Sequence, residues 1–298
     1  MDIALIPNPE KPDAMRAAQV LLELLTARAK SPGANVGRVT LMHDATHPQL
    51  VACKPQLAVV LGGDGTILCT AQRLGGMTVP IVGINFGKLG YLAAFSLEEF
   101  IEHLDLILAN QAPQTKRLML QAALFRQHHN GEIIRLAPFE DATPRAYGMA
   151  LNDVVINAGE PFRLIELELQ IDEERTTVFR SDGLVVATAS GSTGYNLSAG
   201  GPLISPKVPA MVITPICPYT LSFRPVVLPE SAQILVIPRR LNAGTRVNFD
   251  GQFNFPIAED ECLLIRRAPH TLTLIENPTI THWQMLAQKM HWARSPRH

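Results

Sequence analysis

The chain has 298 residues, 47 % of them hydrophobic and 18 % charged, with a formal net charge of −1. That length and apolar content predict a folded protein of one large or two ordinary domains with a sizeable core. The near-neutral balance and the lack of a Lys/Arg stripe interleaved with aromatics argue against a nucleic-acid partner, and no apolar run reaches the roughly 20 residues of a membrane-spanning helix.

In chain order, residues 3–6 read as a strand and Pro7, Pro9 and Pro12 as a turn. Residues 14–30 carry Met15, Ala18, Leu21, Leu22 and Leu25 on one helical stripe. Residues 39–42, 57–61 and 79–84 are further short strands. Ser96-Leu97-Glu98-Glu99 is a capping box that opens a helix along Phe100, Ile101, Leu104 and Leu108. This alternation predicts a parallel sheet with helices on its faces, and such sheets bind ligands at the carboxyl ends of their strands.

Near Pro113 the pattern changes. Residues 127–146 are polar, with Pro138 and Pro144, and read as an irregular excursion. At 163–171, Ile165, Leu167, Leu169 and Ile171 alternate with Glu166, Glu168 and Gln170, which predicts a strand with one wet face. Shorter β-prone runs follow at 154–156, 184–188, 211–214, 226–228, 234–237, 246–249, 262–265 and 272–275. Trp283, Leu286, Ala287 and Met290 stand at helical spacing and predict a last helix packed back on the first domain. Residues 294–298 read as a frayed end. The expected organisation is an α/β N-terminal domain over 1–112 plus 277–298 and a β-rich second domain over 113–276.

The most informative stretch is Leu-Gly-Gly-Asp-Gly-Thr at 61–66, directly behind a buried apolar run. Gly62, Gly63 and Gly65 let the backbone turn sharply and let a bulky ligand reach its N–H groups. Ile67, Leu68, Ala71 and Leu74 then fall on one helical face. Strand, glycine turn and helix start together suit phosphate oxygens. Asp64 is the odd member, because a carboxylate beside phosphates is repelled unless it holds a metal or faces a hydroxyl. It points to phosphoryl chemistry, and the plainer alternative makes it an ordinary N-cap.

A second cluster lies at 180–202, where a buried strand is bracketed by Asp182-Gly183 and a loop rich in hydroxyls and glycine. The hydroxyls at 188, 190, 192, 193, 195 and 198 are uncharged donors and acceptors of the kind that meet sugar hydroxyls and base edges. Taken singly each is an ordinary turn former; their density favours a binding loop. Asn152-Asp153 opens a strand, and Asp250-Gly251-Gln252 is a hairpin-turn signature. Nine histidines are scattered without metal-ligand spacing: His128-His129 reads as a solvated loop pair, and His43 and His47 sit beside a loop. Ser190-Gly191-Ser192-Thr193-Gly194 resembles a nucleophile elbow only loosely and has no assignable His partner. The four cysteines, at 53, 69, 217 and 262, form no C-x-x-C pair. Reduced thiols and an N-terminus without a leader-like core predict a cytoplasmic protein.

With both clusters in place, the chain resembles the NAD kinases. The resemblance rests on Gly62-Gly63-Asp64-Gly65-Thr66, Gly87-Lys88-Leu89-Gly90-Tyr91-Leu92, Asn152-Asp153-Val154-Val155, the 182–202 run, Thr214-Pro215-Ile216-Cys217-Pro218 and Arg224-Pro225. The first motif is shared with phosphofructokinases and with diacylglycerol and sphingosine kinases; the 182–202 run is the specific one. Coverage is weakest over the first fifty residues and 127–146. The resemblance implies an N-terminal α/β domain and a C-terminal β-sandwich. It implies transfer of the terminal phosphoryl group of ATP, with Mg²⁺ or another divalent cation, to the 2′-hydroxyl of the adenosine ribose of NAD, giving NADP and ADP. It implies Asp64 as general base and donor phosphates on Gly62, Gly63, Gly65 and Thr66, with no protein metal ligand assigned. The dinucleotide contacts it implies are Phe86, Asn152, Asp153, Arg180, Asp182, Thr193, Gly194, Tyr195, Ser198 and Gln252, with Asp182 toward the nicotinamide, Phe86 toward the adenine, and Arg180 biasing NAD against NADH. A homodimer or homotetramer is typical, and some relatives also use polyphosphate. Ala189 stands where Pro is usual, Ser190 where Thr is frequent, Gly194 where many members have Ala, and Tyr219 where His is common. The competing readings are a lipid or sugar kinase sharing the glycine loop, and a non-catalytic dinucleotide sensor.

Overall fold

A computed structural model describes residues 1–33, 35–43, 45–87, 90–126, 143–172 and 174–290. Lys88-Leu89, His128-His129, most of the polar excursion and the 294–298 end therefore lie outside the described residues. Strand and helix alternate first: β1 (Ile3–Pro7), α1 (Pro12–Ala29), β2 (Val39–Leu41), α2 (His47–Cys53), β3 (Leu57–Gly62), α3 (Asp64–Leu74), β4 (Ile81–Asn85), α4 (Leu97–Glu102) and α5 (Leu104–Leu108). Strands then dominate: β5 (Gln114–Arg126), β6 (Ala146–Ala150), β7 (Asp153–Asn157), β8 (Ile165–Ile171), β9 (Glu174–Ser181) and β10 (Gly183–Thr188). The short helix α6 (Tyr195–Ser198) precedes β11 (Ala210–Ile216), β12 (Val226–Pro229), β13 (Ile234–Arg240), β14 (Arg246–Phe249), β15 (Phe253–Pro256) and β16 (Glu261–Ile275), and α7 (His282–Met290) follows. The chain forms two compact units, Met1–Lys116 with the stretch from Leu272, and Arg117–Thr271.

In the first unit the strands run parallel in the order β2-β1-β3-β4, and Leu274 near the end of β16 pairs with Ile81. Every residue of β1 and β3 is buried, as parallel strands covered on both faces must be. Pro12 starts α1 before the apolar pattern begins. The helix buries Ala14, Ala17, Ala18, Leu21 and Leu25, so small side chains face the core while Met15 and Leu22 stand half-exposed. α3 buries all four predicted residues, Ile67, Leu68, Ala71 and Leu74. The Ser96–Glu99 capping box forms, but the predicted single helix splits at His103, which leaves helical geometry at φ −98°, ψ 9°. His47 stands beside a loop as expected, as the first residue of α2, whose start is fixed by a Thr46–Gln49 capping box. In α7 the buried residues are Met285 and Leu286, and Trp283 is exposed.

The second unit is antiparallel. One sheet runs β12-β11-β10-β7-β14-β15; in the other grouping β13 lies between β16 and β8, β8 pairs with β9, and β5 pairs with β16 and β6. Their inward residues make one core. Val154, Ile156, Leu184, Val186, Val247 and Phe249 come from the first, and Leu120, Leu124, Leu167, Leu169, Val236 and Leu263 from the second. The expected wet face of β8 is overturned. Glu168 and Gln170 are buried, because Arg175 on β9 and Arg239 on β13 reach over Glu168 from either side, at 2.8 and 2.6 Å. Burial pushes the Glu168 carboxyl up, but hydrogen bonds from Arg239, Gln170 and Arg175 outweigh it and hold the group below its ordinary value. The runs at 262–265 and 272–275 are one strand, β16, which passes through Pro269. Of the 127–146 stretch only 143–146 are described, and β6 begins at its last residue, Ala146; before it lies β5, a 13-residue strand unmarked in the sequence reading.

Candidate active site

In the first unit the polar residues gather where β1, β3 and β4 end. Gly63, extended at φ −169°, caps α3, and Asp64 is the first residue of that helix rather than its cap. Its carboxylate points away from its own helix toward the segment after β4. Oδ2 accepts from the Tyr91 N–H at 2.8 Å, and Oδ1 accepts from Leu92 and Ala93 at 3.0 Å each. Successive main-chain donors converging in this way make an anion-binding nest. Gly90 permits it: a Cβ there would lie 2.0 Å from Asp64 Oδ1. The segment itself is anchored by Asn85 N–H to Phe95 O and Phe95 N–H to Gly83 O.

Among the described residues, two lysines stand at this end of the sheet. Lys11 Nζ donates to the carbonyls of Phe86 at 2.8 Å and Gly62 at 3.2 Å, across the glycine turn. Lys289, on α7, places Nζ 3.5 Å from Asp64 Oδ2 and 4.7 Å from the centre of the Tyr91 ring. Burial and then the Asp64 charge push the Tyr91 phenol up, and its buried hydroxyl has no hydrogen-bond partner among the described residues. Thr66 Oγ1 accepts from Asn8 Nδ2 at 3.3 Å, and a Cβ on Gly62 would strike that hydroxyl at 2.2 Å. Phe86 is half-buried against the core of this unit, and its N–H donates to Gly62 O.

In the second unit a cavity of about 410 Å³ is lined by Asn152, Asp153, Val155, Asn157, Gly194, Tyr195, Asn248, Asp250 and Gly251. It brings together Asn152, Asp153, Gly194 and Tyr195 from the sequence reading; Thr193, Ser198, Asp182, Arg180 and Gln252 do not line it. Asp250 does more than turn a hairpin. With Asp250 at φ 52° and Gly251 at φ 65° the turn is of the type that Asp-Gly favours. The Asp250 carboxylate also accepts the N–H groups of Leu151, Asn152 and Asp153 at 2.8, 2.7 and 3.1 Å. Burial, and after it the neighbouring Asp250, push the Asp153 carboxyl up to about 7.

Several hydroxyls of the 182–202 run serve the fold. Thr188 donates to Leu151 O and accepts from Gly191 N–H, and Ser192 donates to Ala189 O and accepts from Ile204 N–H. Asn196, itself fully buried, donates to Ser192 O and Pro202 O and accepts from Thr214. These contacts fix a 3₁₀ turn, Gly191–Thr193, and leave Gly194, Tyr195 and Ser198 exposed and Thr193 half-buried. Asp182 is half-buried. Gln252 is exposed in the hairpin turn, its N–H bonded to Phe249 O. Arg180 on β9 is not a free charge: its Nε donates to Glu166 at 2.6 Å. Its carbonyl accepts from Tyr219 N–H, and the Tyr219 side chain is exposed.

The sequence reading missed Lys11, Lys289, the 91–93 amides, Asn157, Asn248 and the clamp made by Asp250. Tyr91 and Leu92 carried a signal through the quoted motif that also holds Gly90, and Asp250 through its Asp-Gly turn. Among the described residues no group of three His, Cys, Asp or Glu side chains could hold a metal, and no helix is long and apolar enough to cross a membrane. Cys53, Cys69, Cys217 and Cys262 are free thiols.

Residues 3–112 match the family model described as the ATP-NAD kinase N-terminal domain, and residues 151–277 that of the ATP-NAD kinase C-terminal domain. The chain is 36 % identical over 303 residues to a protein of Aromatoleum aromaticum named NAD kinase, covering 99 % of this chain and 95 % of the relative. It is 34 % identical over 299 residues to one of the same name from Nitrosospira multiformis, covering 99 % and 97 %. Among solved structures it is similar to an NAD kinase from Archaeoglobus fulgidus in complex with ATP, with a TM-score of 0.76, 25 % identity and coverage of 98 % and 99 %. Yeast NADH kinase complexed with NADH shares the fold, with a TM-score of 0.83, 24 % identity and coverage of 100 % and 89 %.

Proposed function

The chain belongs to the NAD kinase family, and from that membership we propose that it moves the terminal phosphoryl group of ATP to the 2′-hydroxyl of the adenosine ribose of NAD, with Asp64 as general base. That it is a kinase acting on NAD follows from the family; the donor, the acceptor oxygen and the residue roles are our reading. The observation that carries it is the Asp64 carboxylate. A carboxylate offers about four acceptor positions, and three are filled by the fixed N–H groups of Tyr91, Leu92 and Ala93. The side chain is thus held in one orientation with one position, on Oδ2, left for an incoming hydroxyl.

An unperturbed sugar hydroxyl is far too weak an acid to ionise first. Its proton passes to Asp64 as its oxygen bonds to phosphorus, and the bridging P–O bond breaks with its electron pair on ADP. Donor phosphates are assigned to Gly62, Gly63, Gly65 and Thr66: Gly62 ends β3, the other three open α3, where the helix dipole favours anions, and the Thr66 N–H already donates to Gly63 O. Lys11, with two donors already on carbonyls, has a third to give a phosphate oxygen. Mg²⁺ enters as part of the Mg·ATP substrate, held mainly by phosphates. The dinucleotide rests on the cavity of the second unit, through Asn152, Asp153, Gly194 and Tyr195, with Thr193, Ser198, Asp182, Arg180, Gln252 and Phe86 as further contacts. The Arg180–Glu166 pair damps any repulsion between Arg180 and a cationic nicotinamide. Unpaired thiols support a reducing, cytoplasmic setting. Exposed Tyr219, Leu221, Val226 and Val227 support a homo-oligomer, which sedimentation would test. Polyphosphate is a second donor to be assayed.

Incubation of the protein with NAD, Mg²⁺ and ATP should yield NADP, detected with an NADP-specific dehydrogenase. Asp64→Asn should lower the turnover by about 10²–10⁴-fold and leave NAD binding within about threefold of the wild type. Absence of product from folded wild-type protein that still binds NAD would mean a sensor instead. Phosphorylation of a lipid headgroup would mean the other kinase class.

A further inference from the structure

We propose that Lys289 is a catalytic cation of the transfer step, presented by α7 to the phosphoryl group as it passes to the hydroxyl on Asp64. The proposal rests on the Asp64 reading above and extends it. Three of the four acceptor positions of Asp64 belong to main-chain donors of residues 91–93, whose places are set by the backbone. A hydroxyl that hands its proton to this carboxylate is therefore confined to the remaining position on Oδ2. Lys289 Nζ stands 3.5 Å from that same oxygen.

The spacing matters. A direct ammonium–carboxylate hydrogen bond closes to about 2.7–2.9 Å. At 3.5 Å the charges attract, yet the carboxylate keeps room for a second group beside the ammonium. The ammonium is held by more than Asp64, because it also sits 4.7 Å from the centre of the Tyr91 ring, whose face attracts cations. Tyr91 in turn donates its N–H to the same Oδ2. One residue thus positions both the base and the cation. Lys289 is not what anchors its helix, since Met285 and Leu286 are the buried residues of α7. Its position answers to the site rather than to the core.

In the step itself, the hydroxyl oxygen bonds to the terminal phosphorus while its proton moves to Asp64 Oδ2. The bond to the bridging oxygen breaks, and its electron pair leaves with ADP. Charge spreads over the three equatorial phosphoryl oxygens as this happens. The Lys289 ammonium donates N–H to one of them, next to the attacking oxygen. A preplaced donor acting on charge that develops only in the transition state lowers the barrier without tightening the ground state. The effect belongs in kcat and not in the binding of NAD.

The full-length variants Lys289→Met, Lys289→Arg and Lys289→Ala test this, with Asp64→Asn run beside them. Lys289→Met should lower kcat by about 100-fold, with the NAD dissociation constant and the midpoint of thermal unfolding near those of the wild type. Lys289→Arg should recover most of the loss, and added methylammonium should partly rescue Lys289→Ala. Retained activity in Asp64→Asn would sink the general-base reading, and this proposal with it. An inactive Asp64→Asn with unchanged or raised kcat in Lys289→Met would overturn the present proposal alone, a rise meaning that the ammonium merely blocks the carboxylate. A loss in Lys289→Met that tracks weaker NAD binding or earlier unfolding, with recovery neither by Arg nor by the added amine, would overturn it too.

Discussion

A carboxylate among phosphates would be repelled by them, and under the proposed function the main-chain N–H groups that Asp64 accepts from residues 91–93 would offset that repulsion before any ligand arrives. The arrangement depends on Gly90, where a methyl group would lie 2.0 Å from Asp64 Oδ1. Gly90→Ala should therefore displace the carboxylate and lower NADP formation by about 100-fold while NAD still binds, as steady-state kinetics beside a binding titration would show. Asp153 makes a different prediction. Its carboxyl is raised from 3.8 to about 7 in the fold, by burial first and Asp250 second. Between about pH 4 and pH 7 the folded state therefore binds the extra proton. Stability from this group is fully present below about pH 4 and is lost as pH rises through about 7. The neutral isostere Asp153→Asn should gain on the wild type across that window, by up to roughly 4 kcal/mol, in urea unfolding measured at a series of pH values. At this scale Asp64 itself was legible, because a carboxylate among glycines after a buried strand is an unusual combination. Its partners were not, because a main-chain donor has no residue identity for a sequence to display.

Elements carry the second lesson, most clearly in the β14–β15 hairpin. The Asp-Gly pair is rightly read as a turn, yet the same Asp250 side chain holds the strand-opening segment 151–153 through three N–H groups. Asp250→Ala should leave those buried donors unmatched, destabilise the protein by about 2–3 kcal/mol and weaken NAD binding. Asp250→Asn, keeping one acceptor oxygen, should do less of both, and chemical denaturation with NAD titration would separate the two. Where alternation alone was used, it failed at β8: Glu168 is covered by Arg175 and Arg239 from neighbouring strands, and strand order is not written in a local pattern. The runs 262–265 and 272–275 were read as separate strands, and in the structure they are one, β16. Proline fixes φ and removes one donor, and β16 runs through Pro269 all the same. The hydroxyl-rich loop was legible as a unit but not residue by residue. Thr188, Ser192 and Asn196 brace the turn from inside, which leaves Gly194 and Tyr195 on the cavity.

Across the whole molecule, the change from βα alternation to β-only patterning separates two units by composition of their elements. It was visible from the sequence because helical stripes and strand runs differ in period. The division itself falls inside β5 and inside β16, where no glycine- or proline-rich linker marks it. The first unit is discontinuous: Leu274, which pairs with Ile81 on β4, and α7, which carries Lys289, both follow the entire second unit. On the ribosome, where folding proceeds from the N-terminus as synthesis does, the first four parallel strands emerge long before their last neighbour. The Ile81 end of the β4 edge stays bare meanwhile, since Phe95 covers only Gly83–Asn85, and bare edges invite pairing with other chains. A prematurely terminated product that ends between Ala112 and Leu272 would hold the glycine turn and Asp64 yet lack both the closing strand and the lysine, and should be inactive and prone to pair through that open edge.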